Sequence, residues 1–223
     1  MGFRIPESLH EVTIGQYQKY LAAIEGLEEN NEAVIEIATV IFCNISLKDL
    51  RSLSRKEVDI ISMGVVRVLN AFADEQELVR RFWLNGKEYG FIPNIDEKIS
   101  YGENKDVVRY INEGKDSLHK YMAVLYRPIV KSSETTYSIE EYKHPVEHEK
   151  AFKDAPVSIL LGANVFFYNL TKELLMHIPN YLNKEMGEKV VKELIQRVST
   201  NPIGENMTKY SASLKETLED LMK

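Results

Sequence analysis

PVSILLGANVFFYNLTKELL, residues 156–175, is the most apolar stretch of the chain and decides how the rest must be arranged. Pro156 can open a helix, and Ile159, Leu160, Leu161, Val165, Phe166, Phe167, Tyr168 and Leu170 then leave almost no polar face. Such a helix must be buried. Ser158, Asn164 and Asn169 interrupt it, and Lys172-Glu173 follow before the roughly twenty apolar residues of a membrane span accumulate. The stretch reads as a central core helix around which other elements pack.

Working back toward the N-terminus, the helix starts are written in capping residues. Thr13 with Gln16 forms a capping box opening a helix from Ile14 to about Glu25, where Gly26 supplies a permissive stop. A second helix spans about Glu32 to Phe42, and its wide face of Val34, Ile35, Ala38, Ile41 and Phe42 predicts that it is largely buried. Ser46 with Asp49 opens a short helix. Ser54 with Glu57 opens a longer one through Val58, Ile61, Val65, Leu69 and Phe72.

The pattern changes at Phe82-Trp83-Leu84, Asn85-Gly86 and the run from Lys87 to Ile92. Asn-Gly between aromatic and apolar flanks is the signature of a tight type I′ hairpin, and the only firm strands are expected here. A two-stranded ribbon is marginal alone, so it must pack on helices or pair with a further strand. Pro93 ends it.

Beyond Ser100 the spacing predicts a helix through Val107, Val108 and Ile111, then another from about Asp116 through Leu118, Tyr121, Met122 and Leu125, closed by Pro128. Residues 131–136 are polar and aperiodic, and read as a flexible loop. Ser138 with Glu141 caps a short turn, and Pro145 starts a helix toward Asp154.

After the core helix comes a charged amphipathic helix at 188–198, then a linker at 199–206 containing Pro202 and Gly204. A last helix at 207–223 places Met207, Tyr210, Leu214, Leu218 and Leu221 on one stripe. That stripe is the candidate protein-binding surface; folding back onto the body is its alternative. The expected fold is mainly α: a compact helical domain over 1–198 of roughly nine helices, one small β-hairpin near 82–92, a linker, and an amphipathic C-terminal helix.

Composition narrows the function. A net charge of −6, from 28 basic and 34 acidic residues, gives no general attraction to phosphate backbones or anionic membranes, so neither nucleic acid nor membrane is an expected partner. Arg80-Arg81 and Lys131 are the densest basic hints. The lone Cys43 lies in an apolar run and reads as a small buried hydrophobe in a reducing compartment. The start MGFRIPESLH lacks the apolar stretch of a signal peptide, and Pro6 stands where a myristoylation start wants a hydroxyl.

Catalytic constellations are not evident: no catalytic, cofactor-binding or metal-binding residue and no cofactor is expected. His144-Pro145-Val146-Glu147-His148 matches the HxxEH spacing of inverted zinc peptidases. Against that alternative, a residue before proline avoids the helical region, so the two rings should not share a rigid helix face. His119 and His177 read as partly buried or helix-capping, and His10 falls in a loose N-terminal segment. Glu28-Glu29 and Glu140-Glu141 read as charged surface, and the glycines form no phosphate cradle. Twelve tyrosines against eight phenylalanines suit either a core margin or a binding surface.

The order of segments resembles small proteins from the structural and assembly modules of tailed bacteriophages, some of them tail assembly chaperones. The likeness is carried by TIGQYQKY at 13–20, the Asn-Gly hairpin, ISYG at 99–102, LHKYMAVLYRP at 118–128, YSIEEY at 137–142, APV at 155–157 and GANVFF at 162–167. It implies a non-enzymatic protein that binds phage tail or other virion proteins during assembly in the host cytoplasm, with homo-oligomerisation open. A permanent virion part of tail, neck or capsid cargo is the alternative. The resemblance supplies no ligand or catalytic residue.

Overall fold

The computed structural model describes residues 3–28, 32–72, 76–95, 99–133, 136–144 and 146–177, except for the side chains of 168 and 171–177. The expected helix at 188–198, the linker at 199–206 and the stripe of Met207, Tyr210, Leu214, Leu218 and Leu221 lie outside the described residues.

The N-terminal helices begin where their caps place them. α1 (Ile14–Ala23) starts at Thr13, whose hydroxyl accepts the Gln16 N–H while the Gln16 side chain accepts the Thr13 N–H at 2.9 Å. The Gln16 amide also donates to the Ile41 and Phe42 carbonyls at 2.9 and 3.2 Å. It thereby satisfies orphan acceptors at the end of α2 (Glu32–Phe42) and ties the two helices together. α3 (Leu47–Ser52) and α4 (Arg55–Ala71) start at Ser46 and Ser54, each accepting the N–H three residues on. α2 is less buried than its apolar face suggests, with Ile35 36% exposed. Among the described residues it packs on α1 and α4 through Ala38, Thr39 and Phe42.

β1 (Arg81–Leu84) and β2 (Lys87–Phe91) form the expected hairpin, and Asn85 and Gly86 both take the positive φ, 49° and 77°, that a type I′ turn demands. The expectation of a single hairpin is corrected: β3 (Tyr126–Ser132) and β4 (Tyr137–Ile139) extend it into a four-stranded antiparallel sheet in the order β1-β2-β3-β4. The hairpin meets its need for a further partner by pairing Phe91 with Tyr126 and Tyr89 with Pro128.

α5 (Tyr101–Glu113) and α6 (Leu118–Leu125) precede β3, and the chain passes from helix to strand at Tyr126. Pro128 does not close the helix; it lies within β3, at a position where its carbonyl accepts the Glu140 N–H at 2.9 Å and no N–H is required of it toward β2. Lys131 and Ser132 belong to β3 and Ser138 to β4, rather than to a loop and a cap. Only a 3-10 helix, Glu149–Asp154, stands where a helix after Pro145 was expected, and Pro145 itself is outside the described residues.

α7 (Val157–His177) is the central helix, with Val157, Ile159, Leu160, Leu161 and Ala163 buried. Residues 12–14 are bound to its start: Ile14 N–H donates to the Ala155 carbonyl and Val157 N–H to the Val12 carbonyl, both at 2.8 Å. The segment expected to be loose is therefore held, with Leu9 buried in a 3-10 turn and His10 Nδ1 3.4 Å from the Ser158 hydroxyl. The inner sheet face packs rings on this framework, Phe82, Tyr89 and Tyr126 around Phe152, and Phe91 edge-on to Phe166 at 5.4 Å. Among the described residues the molecule is mainly α, with seven α-helices beside the sheet, and no helix is long and apolar enough to cross a membrane.

Candidate functional site

The start of α5 builds a buried polar corner around Glu103 and Arg127. Ser100 caps the helix, its hydroxyl accepting the Glu103 N–H at 3.2 Å and its own N–H donating to Glu103 Oε2 at 2.6 Å. This local box holds the Glu103 side chain in place, and its other oxygen receives the guanidinium of Arg127 from β3. Burial pushes the Glu103 carboxyl upward, but the bonds from Ser100 and the Arg127 charge outweigh it and hold it below its ordinary value. Arg127 Nε is buried and has no hydrogen-bond partner among the described residues.

One turn further along α5, Asp106 gathers the chain after β4. It accepts the hydroxyl of Tyr142 and stands 3.0 Å from His144 Nδ1 and 3.2 Å from the Arg109 guanidinium. The Tyr142 ring rests against Gly102, where a β-carbon would come within 3.5 Å of it, and lies 5.7 Å from the Arg127 guanidinium. Its hydroxyl is pushed well above the ordinary range, by burial first and then by its bond to Asp106. Beside this cluster opens a groove of about 560 Å³ between the β3–β4 pair and the segment after β4, lined in part by Arg127, Lys131, Glu140, Tyr142, Lys143 and His148. It carries charges of both signs.

The HxxEH residues are separated by their partners. His144 faces Asp106, whereas His148 Nε2 lies 3.2 Å from Glu140 and its ring stands edge-on to Tyr89 at 5.9 Å. Among the described residues no group of three or more His, Cys, Asp or Glu side chains is placed to hold a metal ion. Glu140, read as plain surface, is thus half of a clasp, while Glu28 is exposed.

Cys43 is buried and its thiol is pushed up to about 11 by burial, consistent with a packing role. His119 is buried at the start of α6 with no partner for Nδ1 among the described residues, and burial, reinforced by Lys153 and Lys120, lowers it to about 4. Of the nine tyrosines whose side chains are described, six (Tyr17, Tyr20, Tyr89, Tyr110, Tyr121 and Tyr126) are buried, so most of the described rings serve the core. Tyr101 is exposed.

No protein-family model, curated protein or solved structure matches this chain.

Sequence reasoning passed over Glu103, Asp106 and Arg127. Ser100-x-x-Glu103 is a capping box and would have located the glutamate, but Arg127 sits in an apolar run with nothing to mark its partner. Chemically, the corner clasps elements together and presents a mixed-charge groove; its carboxylates and cations are occupied by one another.

Proposed function

We propose that this protein is a non-enzymatic bacteriophage morphogenesis protein that binds tail components transiently during assembly in the host cytoplasm. The supporting observation is a convergence of segments that carry the resemblance. Ser100 and Gly102 come from ISYG, Arg127 from LHKYMAVLYRP and Tyr142 from YSIEEY, and these separate stretches contact one another or share partners at a single corner. The adjoining groove is open and carries both charge signs, which suits a peptide segment better than a small reactive substrate. Met207, Tyr210, Leu214, Leu218 and Leu221 supply a second, amphipathic contact for the partner.

Mass spectrometry of purified mature phage particles, with infected-cell lysate as the expression control, tests this reading. Expression in lysate with absence from particles is the expected result. A reproducible copy number in particles overturns the chaperone role in favour of a permanent virion part.

A further inference from the structure

Trp83, the single tryptophan of the chain, is 70% exposed on β1, the outermost strand of the sheet among the described residues. The backbone around it is directional. The Arg80 carbonyl accepts the Phe91 N–H at 2.9 Å, and Phe82 and Leu84 stand opposite Tyr89 and Lys87. The two-residue period therefore aims the N–H and C=O groups of residues 80, 82 and 84 at β2, and those of Arg81 and Trp83 away from it. Among the described residues no backbone bond meets that outer row. Neither a proline nor a bulge interrupts 81–84.

We propose that β1 pairs with β1 of a second copy, antiparallel across a two-fold axis at Phe82, joining two four-stranded sheets into one of eight. The choice of occupant follows from self-complementarity. In this register Arg81 stands opposite Trp83 of the partner subunit and Trp83 opposite the partner's Arg81. Both are hydrogen-bonding positions of the outer row, so each pair exchanges two N–H···O=C bonds. The same two side chains share the outer face, and because the Arg81 guanidinium turns back over its own sheet to Glu88, Ser132 and the Tyr137 ring, each indole packs on the aliphatic stem of the partner's Arg81. Arg81 is already held on that face by Glu88 at 2.8 Å and the Ser132 hydroxyl at 2.8 Å, so little ordering is left for association to impose. A strand of four residues gives a small interface, which implies a monomer–dimer equilibrium rather than a permanent dimer.

The pairing is independent of the assembly role and is tested without phage components. Sedimentation velocity of the full chain from about 1 to about 200 μM, an interval spanning weak protein–protein affinities, gives the mass. Fluorescence of Trp83 over the same dilution gives its burial. The expected result is a shift from monomer to dimer, accompanied by a blue shift of emission over the same range. Trp83→Thr keeps strand propensity but removes the indole, and is expected to remain monomeric with unchanged circular dichroism. Trp83→Pro removes an N–H that the β1–β2 ladder does not use, and is expected to do the same. If the proline variant misfolds, the threonine variant decides. A monomer at every concentration overturns the pairing and leaves the edge to a strand of another protein. A dimer whose emission does not move, or that persists in Trp83→Thr, overturns it as well.

Discussion

Arg127 of β3 and Glu103 of α5 form an ion pair almost wholly withdrawn from water, with side chains 10% and 4% exposed. Removing one member strands the other charge in a poorly solvated setting, whereas replacing both with apolar groups removes the problem together with the pair. Glu103→Gln is expected to cost about 3–5 kcal/mol, and the double variant Glu103→Leu with Arg127→Met to recover most of it. Urea unfolding midpoints check this. Additive losses in the double variant would show that the two residues act separately.

Two buried groups give stability opposite reasons to fall in acid, in adjacent windows. His119 is lowered from 6.5 to about 4, so the unfolded chain takes up its proton first; stability declines as pH falls from about 6.5 to about 4, on the order of 2–3 kcal/mol. Glu103 is lowered from 4.5, so its contribution is complete above 4.5 and is lost as pH falls through its folded value. His119→Gln is expected to flatten unfolding free energy between pH 6.5 and 4 while leaving the loss below 4.5. A wild-type curve already flat in the upper window would contradict the buried neutral imidazole.

Gly162 is where the segment leading into β1 lies directly on the central helix. A β-carbon there would stand 2.2 Å from the Glu77 carbonyl oxygen, a backbone atom that moves only if the strand moves with it. Gly162→Ala is therefore expected to destabilise by about 2 kcal/mol or more despite the better helix propensity of alanine. Thermal unfolding measures the balance; a stabilised variant would mean that the strand entry is not held against the helix.

Leu214→Asp tests the stripe expected from the sequence at 207–223, placing a charge in its middle. It is expected to abolish binding to a tail component identified by cross-linking, while the body keeps its melting temperature. A variant that loses overall stability instead assigns the stripe to the core.

The sequence by itself determined what depends on neighbours a few residues away. Helix starts at Thr13, Ser54 and Ser100 are set by side chains that satisfy nearby N–H groups, and the turn at Asn85-Gly86 by a backbone conformation few residue pairs adopt readily. The length and apolarity of the core helix likewise need no partner to be recognised. Tertiary structure alone decided the remainder. Residues 121–126 form an unbroken apolar run whose helical spacing at Leu118, Tyr121, Met122 and Leu125 does not mark where the helix stops, and the change at Tyr126 occurs where Phe91 of β2 lies opposite to pair with it. The same holds for the buried corner. Ser100 and Glu103 declare themselves locally, but a carboxylate and a guanidinium 24 positions apart meet only because β3 returns past the start of α5, and no local spacing encodes that encounter.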